Sequence, residues 1–254
     1  MTAYMDHKDL ANTIITPQRR SEIYDGVLRT QEKLNNALSK AGRSQAEATL
    51  LAATKTRDVG EILAAIDAGI VCIGENRPQE VIAKADGLAQ ELKDREKEIP
   101  LHLIGQLQSN KISKIVPFVS TIESVDSVKL AERISRRLDS TQKMNVFLEV
   151  NESGEESKSG CKPEEALEIA ENISQLDGIQ LTGLMTIGTH IDDEKTERNC
   201  FSNLRNLRDE INNAGIKTCT ELSMGMSADL EWAIAEGSTI VRVGTGIFGA
   251  RAFI

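Results

Sequence analysis

A lysine at the point where an apolar run turns polar is a candidate nucleophile, and the sequence supplies one. Leu50-Leu51-Ala52-Ala53-Thr54 leads directly into Lys55. An amine desolvated there, or held beside another cation, has a lowered pKa and condenses with carbonyl compounds. Two glycine-containing stretches further along offer complementary chemistry. They are Ser223-Met224-Gly225-Met226-Ser227 and Arg242-Val243-Gly244-Thr245-Gly246. Glycines let a backbone approach a ligand closely, and hydroxyls add donors. Ser227 comes just before residues 229–235, which carry apolar side chains at helical intervals, so it is a candidate N-cap. The helix behind it would favour a dianion. Amine and anion cradle together suit a ligand that carries both an aldehyde and a phosphate.

These residues need elements to hold them. Eight short apolar runs read as strands, at 49–56, 71–76, 101–106, 120–125, 145–150, 181–187, 219–224 and 239–243. Helical periodicity occupies 58–67, 79–96, 128–138, 163–175, 194–214 and 229–235 between them, and 21–40 ahead of the first strand. Repeated strand–helix alternation implies parallel strands joined by crossover helices. Eight units in a chain of 254 residues fit a closed barrel better than an open doubly wound sheet. The expected fold is therefore α/β, a single (β/α)₈ TIM-type barrel with an additional N-terminal helix, divided into a leader at 1–20 and a barrel domain at 21–254. Barrel active sites lie at the C-terminal strand ends. Lys55, Asn76 and both glycine stretches fall at such ends, where pyridoxal 5′-phosphate (PLP) and a sugar phosphate would each satisfy the chemistry.

Composition removes several classes. Thirty Lys and Arg against 39 Asp and Glu give a net charge of −9, which argues against a general nucleic-acid binder. Eight aromatic residues (one Trp, two Tyr, five Phe) leave little for stacking on bases. No apolar run is long enough to span a bilayer, and the first residues lack the apolar core of a signal peptide, so a cytoplasmic protein is expected. Cys72, Cys161, Cys200 and Cys219 are far apart in sequence and read as reduced thiols rather than metal ligands. His102, inside a strand, reads as a satisfied core histidine. Trp232 and the methionines 224 and 226 read as packing, residues 93–98 as a solvated helix end, and Lys158 as a solvated loop lysine.

The chain resembles the pyridoxal phosphate homeostasis proteins, relatives of the alanine racemase N-terminal barrel among fold-type III PLP proteins. The resemblance rests on AATKTR (52–57), GENRPQE (74–80), LHLIGQLQSNK (101–111), SVDS (124–127), SKSG (157–160) and GLMTIG (183–188). Its most specific parts are ELSMGMSADLEWAI (221–234) and TIVRVGTGIFGAR (239–251). It implies that Lys55 carries PLP as a Schiff base and that Ser223, Met224, Gly244 and Thr245 hold the phosphate. It also implies that Arg242 faces the pyridine nitrogen and that Asn76 and Ser227 are further contacts. Departures from the family pattern are Thr54 for a serine, Asp58 for a proline, Leu101 for a tryptophan, and Pro78.

The resembling racemases use, as second base, a tyrosine from a C-terminal domain presented across a dimer. Here both tyrosines, Tyr4 and Tyr24, precede the first strand. An arginine at the ring nitrogen also weakens the ring as an electron sink, because a guanidinium stays charged and donates. The expectation is a non-catalytic, monomeric PLP-binding protein that stores, delivers or buffers the cofactor, with PLP-dependent apoenzymes as partners. It would bind no membrane and no nucleic acid. The alternatives are a PLP-dependent amino-acid racemase and, from another class, a Schiff-base aldolase.

Overall fold

A computed structural model describes residues 9–155, 157–189 and 193–250. Tyr4 and His7 of the leader, and Arg251 of the last motif, lie outside the described residues. Eight parallel strands close into a barrel in chain order. They are β1 Thr49–Ala53, β2 Cys72–Glu75, β3 Leu101–Leu103, β4 Thr121–Val125, β5 Met144–Glu149, β6 Ile179–Met185, β7 Glu221–Ser223 and β8 Ile240–Val243. β8 pairs back onto β1, Leu50 opposite Val241 and Ala52 opposite Val243. The expected barrel is observed.

Helices α1 Pro17–Lys40, α2 Val59–Asp67, α3 Pro78–Asp94, α4 Ile112–Ile115, α5 Val128–Ser135, α6 Ala166–Ser174, α7 Glu194–Asn213, α8 Leu230–Ala235 and α9 Thr245–Phe248 surround it. Alternation along each strand divides two apolar populations. Leu50, Ala52, Ile73, Leu103, Ile122, Val146, Leu148, Leu184, Leu222, Val241 and Val243 face out and join the main core beneath the helices. Leu51, Cys72, Ile104, Phe147, Met185 and Ile240 form a separate cluster inside the barrel. That two-sided demand explains strands that are apolar on both faces.

Local signals account for element ends that the sequence placed differently. α1 begins at Pro17 rather than residue 21: Thr16 accepts the Arg19 N–H at 3.1 Å, and Pro17 needs no N–H partner in the first turn. Pro78 likewise stands in the first turn of α3, although no side chain caps that end. Asp58 caps α2 through a reciprocal box, Glu61 N to Asp58 Oδ1 at 2.9 Å and Asp58 N to Glu61 Oε2 at 3.3 Å. The sequence showed no helix between β3 and β4. The connection there is a 3₁₀ turn, Ser109–Lys111, running into the single turn of α4, too short for periodicity to register. α9 escaped for the same reason.

α1 packs outside the barrel against α2, α8 and α9. Gly26 is the contact point with α9, because a Cβ there would lie 2.1 Å from the carbonyl oxygen of Ile247. No helix among the described residues is long and apolar enough to cross a membrane.

Candidate functional site

At the C-terminal mouth a cavity of about 350 Å³ opens between the ends of β1, β2, β7 and β8. Lys55, Arg57, Asn76, Ser227, Arg242, Gly244 and Thr245 line it, with Met226, Ala228, Gly249, Ile104 and Ile187 completing the wall. Among the described residues, three cations and no carboxylate face this space, in a chain whose net charge is −9. That concentration of one sign, together with hydroxyls and glycine backbone, suits a multiply charged anion.

Lys55 sits just past the end of β1, and its neighbours are fixed from behind. Thr56 has φ 67°, the left-handed region that β-branched residues rarely adopt. Its N–H donates to Glu80 Oε2 at 2.6 Å. On the other side, the Thr54 carbonyl accepts Lys84 Nζ at 3.0 Å. Lys84 also donates to Glu75 Oε1 at 2.6 Å and Glu80 Oε2 at 3.2 Å. The Thr54 hydroxyl donates to Glu75 Oε1 at 2.5 Å. All these groups are buried. Burial raises the Glu75 pKa against the pull of Lys84. A buried ionic knot thus grips the main chain on both sides of Lys55, and Thr54 supplies the hydroxyl that serine would.

Arg57 is held by the Gly249 carbonyl at 3.0 Å and by Glu61 at 3.5 Å, and its guanidinium lies 5.5 Å from the centre of the Phe248 ring. The α9 end of the cavity is therefore tied to the lysine loop. Arg57 was missed as a cavity residue, although it ends the very motif that carries Lys55. Nothing in its type distinguishes a buried, pinned arginine from a surface one.

Ser227 does not cap α8 as expected. Asp229 holds the N-cap position, but its carboxylate turns back to the Met226 N–H instead of capping the helix. Gly225, at φ 94°, makes that tight turn possible. Ser227 Oγ accepts instead from Gly246 N at 3.4 Å, and its carbonyl accepts Lys33 Nζ of α1 at 3.1 Å.

Ser223 and Met224 are not brought to the cavity. Met224 packs in the outer core, and the buried Ser223 hydroxyl points into the barrel. There it accepts Arg242 NH1 at 2.6 Å and donates to Glu123 Oε2 at 2.5 Å. Arg242 NH2 donates to the Thr186 carbonyl at 2.8 Å. Burial lowers the Arg242 pKa, and Glu123, Asp229 and Glu149 oppose that.

Lys158 is no solvated lysine. Its ammonium donates to the Gly188 carbonyl and pairs with Glu155 at 2.8 Å, tying the loops after β5 and β6 together. The four cysteines are free and buried, and burial pushes the Cys161 and Cys219 thiols up to about 12. Among the described residues no cluster of His, Cys, Asp and Glu is placed to hold a metal.

Residues 31–252 match the sequence profile of the alanine racemase N-terminal domain, which defines the class of barrel. Within it, a pyridoxal phosphate homeostasis protein of Pseudomonas aeruginosa is 40% identical over 236 residues, covering 92% of this chain and 97% of the relative. The chain belongs to the family of pyridoxal phosphate homeostasis proteins, as its motifs indicated. A crystal structure described as an unknown protein from Bifidobacterium adolescentis is 58% identical, with a TM-score of 0.93 over 95% of this chain and 100% of that one. PipY of Synechococcus elongatus with PLP bound is 33% identical, with a TM-score of 0.71 over 85% of this chain and 100% of PipY.

Proposed function

We propose that this chain binds PLP as a Schiff base on Lys55 and serves intracellular PLP homeostasis in the cytoplasm, storing, delivering or buffering the cofactor without robust catalysis. The observation that carries this reading is the cavity lining, which among the described residues holds one lysine, two arginines and no carboxylate. The donor set fits the cofactor. Lys55 supplies the amine, while Ser227, Thr245 and the backbone at Gly244 suit the phosphate. Arg242 suits an unprotonated ring nitrogen. The bound PLP named for the PipY structure and the name of the Pseudomonas relative support the same ligand. When bound, PLP would supply an electrophilic aldehyde and an aromatic ring that can delocalise charge.

The lining also bears on turnover. Racemisation by two bases needs a second proton carrier opposite the lysine. Among the described lining residues, Lys55 is the one side chain other than the arginines that carries an acid–base group; the arginines stay charged, and Asn76, Ser227 and Thr245 offer none. A monomer with the leader at 1–20 and the barrel at 21–254, passing PLP to dependent apoenzymes, completes the proposal.

The as-purified absorbance spectrum tests it. A visible Schiff-base band is expected in the wild type and lost in Lys55→Ala, and a band that survives the substitution would remove Lys55 from its role. Amino-acid-dependent loss of α-deuterium at about 1 s⁻¹ or faster would favour a racemase. Borohydride trapping of a sugar phosphate, with no chromophore, would favour an aldolase.

A further inference from the structure

Inside the barrel, below the cavity, four side chains from β3, β4, β7 and β8 form one hydrogen-bonded line. His102 Nδ1 lies 2.6 Å from Glu123 Oε1. Glu123 Oε2 accepts the Ser223 hydroxyl at 2.5 Å, and Ser223 Oγ accepts Arg242 NH1 at 2.6 Å. Strands β4 and β7 are not neighbours in the barrel, so the Glu123–Ser223 bond crosses the lumen. Every member is buried, with Ser223 and Glu123 fully inaccessible. The donors run one way, from the guanidinium through the hydroxyl to the carboxylate, and the imidazole donates to that carboxylate from the far side.

From this arrangement we propose that His102 and Glu123 are positioning residues for Arg242, fixing its guanidinium through Ser223 and setting how strongly it donates to the ring nitrogen of bound PLP. The inference rests on the PLP-binding reading of the cavity. The charges alternate along the line: arginine positive, glutamate negative, histidine positive. Burial works against the His102 cation, but hydrogen bonds to Cys72 and Glu123 outweigh it and raise its pKa to about 10. Below that pH the imidazolium partly neutralises Glu123, and Glu123 in turn tempers Arg242. Low internal dielectric makes such a chain cooperative and sensitive to the loss of any link. Glu149 and Asp229 also act on Arg242, but neither is altered by the changes below.

The relay predicts a sign as well as a size. Glu123→Gln deprives Arg242 of a counter-charge, so the guanidinium presses harder on the ring nitrogen. His102→Gln leaves Glu123 fully negative, so Arg242 presses less. With ¹⁵N-labelled PLP bound, the pyridine nitrogen resonance should move upfield in Glu123→Gln and downfield in His102→Gln. PLP affinity should fall about tenfold to a hundredfold in Ser223→Ala, the scale of one buried hydrogen bond to a charged group. A second readout needs no cofactor. In the wild type, NMR of the Arg242 side chain should show slow rotation of the guanidinium, and Ser223→Ala, the mildest change to the fold, should release it. If both glutamine variants bind PLP with the wild-type nitrogen shift, or with shifts of the same sign, the tuning role is wrong. If the guanidinium rotates as slowly in Ser223→Ala as in the wild type, the positioning role is wrong too. Should the wild type bind no PLP, the reading of the cavity fails, and the guanidinium measurement still decides whether the line positions Arg242.

Discussion

Lys55 owes its place to residues that never touch the cavity. Lys84 pairs with both Glu75 and Glu80 and holds the Thr54 carbonyl, while Glu80 takes the Thr56 N–H. Removing one partner from such a cluster leaves buried charge uncompensated, at a cost of about 3–5 kcal/mol. Lys84→Met should therefore lower stability by about that amount in urea unfolding at pH 7, and by less in acid, where Glu75, its pKa raised by burial, takes up a proton. It should also reduce PLP occupancy, because the Thr54 carbonyl, next to Lys55, loses the ammonium that holds it.

Glu149 carries a separate prediction. Burial, against the pull of Arg242, raises its pKa to about 7 from 4.5. Between those values the native state holds a proton that the unfolded chain has released, so stability falls as pH rises through that window. Glu149→Gln should match the wild type near pH 4.5 and exceed it at pH 8 by up to about 3 kcal/mol. An advantage that does not change with pH would contradict this. The sequence made Lys55, Asn76, Arg242, Gly244 and Thr245 visible because strand-end position implies the mouth of a barrel. It did not show that Ser223 turns inward, since one step of side-chain alternation decides that. Nor did it reveal the Glu75–Glu80–Lys84 knot, which ties β2 and α3 to the main chain just after β1.

At the level of elements, the site depends on how outer helices brace its turns. α1 touches both halves of the anion cradle: Lys33 holds the Ser227 carbonyl, and Gly26 lets α9 pack at backbone distance. Gly26→Ala should push α9 away, costing about 1–3 kcal/mol by overpacking and raising the PLP dissociation constant. Asn36→Ala, on the exposed face of the same helix, should change neither quantity in parallel denaturation and titration. Long elements were legible in sequence because their periodicity repeats over several turns. The end of β3 and the turns of α4 and α9 were not, because each is set by loop hydrogen bonds over a few residues.

The whole molecule is a closed cylinder, and the cavity stands over the seam that closes it. Most of its lining comes from the ends of β1, β2, β7 and β8, so a single ligand would bridge the first and last strands of the barrel. Such a ligand opposes opening of the seam as well as ordering a loop. At a free concentration of about 100 times the dissociation constant it should add about 2.7 kcal/mol to stability, as any ligand specific for the native state must. For a domain of this size that raises Tm by about 5–10 °C. The location of the effect is the sharper expectation: hydrogen exchange should slow in the amides of β1 and β8, and not only in residues 225–228 and 244–246. In Lys55→Ala both the Tm shift and the strand protection should largely disappear. Slowing confined to the loops would mean that the ligand sits on the rim without joining the two ends of the barrel, and the cavity's position over the seam would then have no consequence for stability.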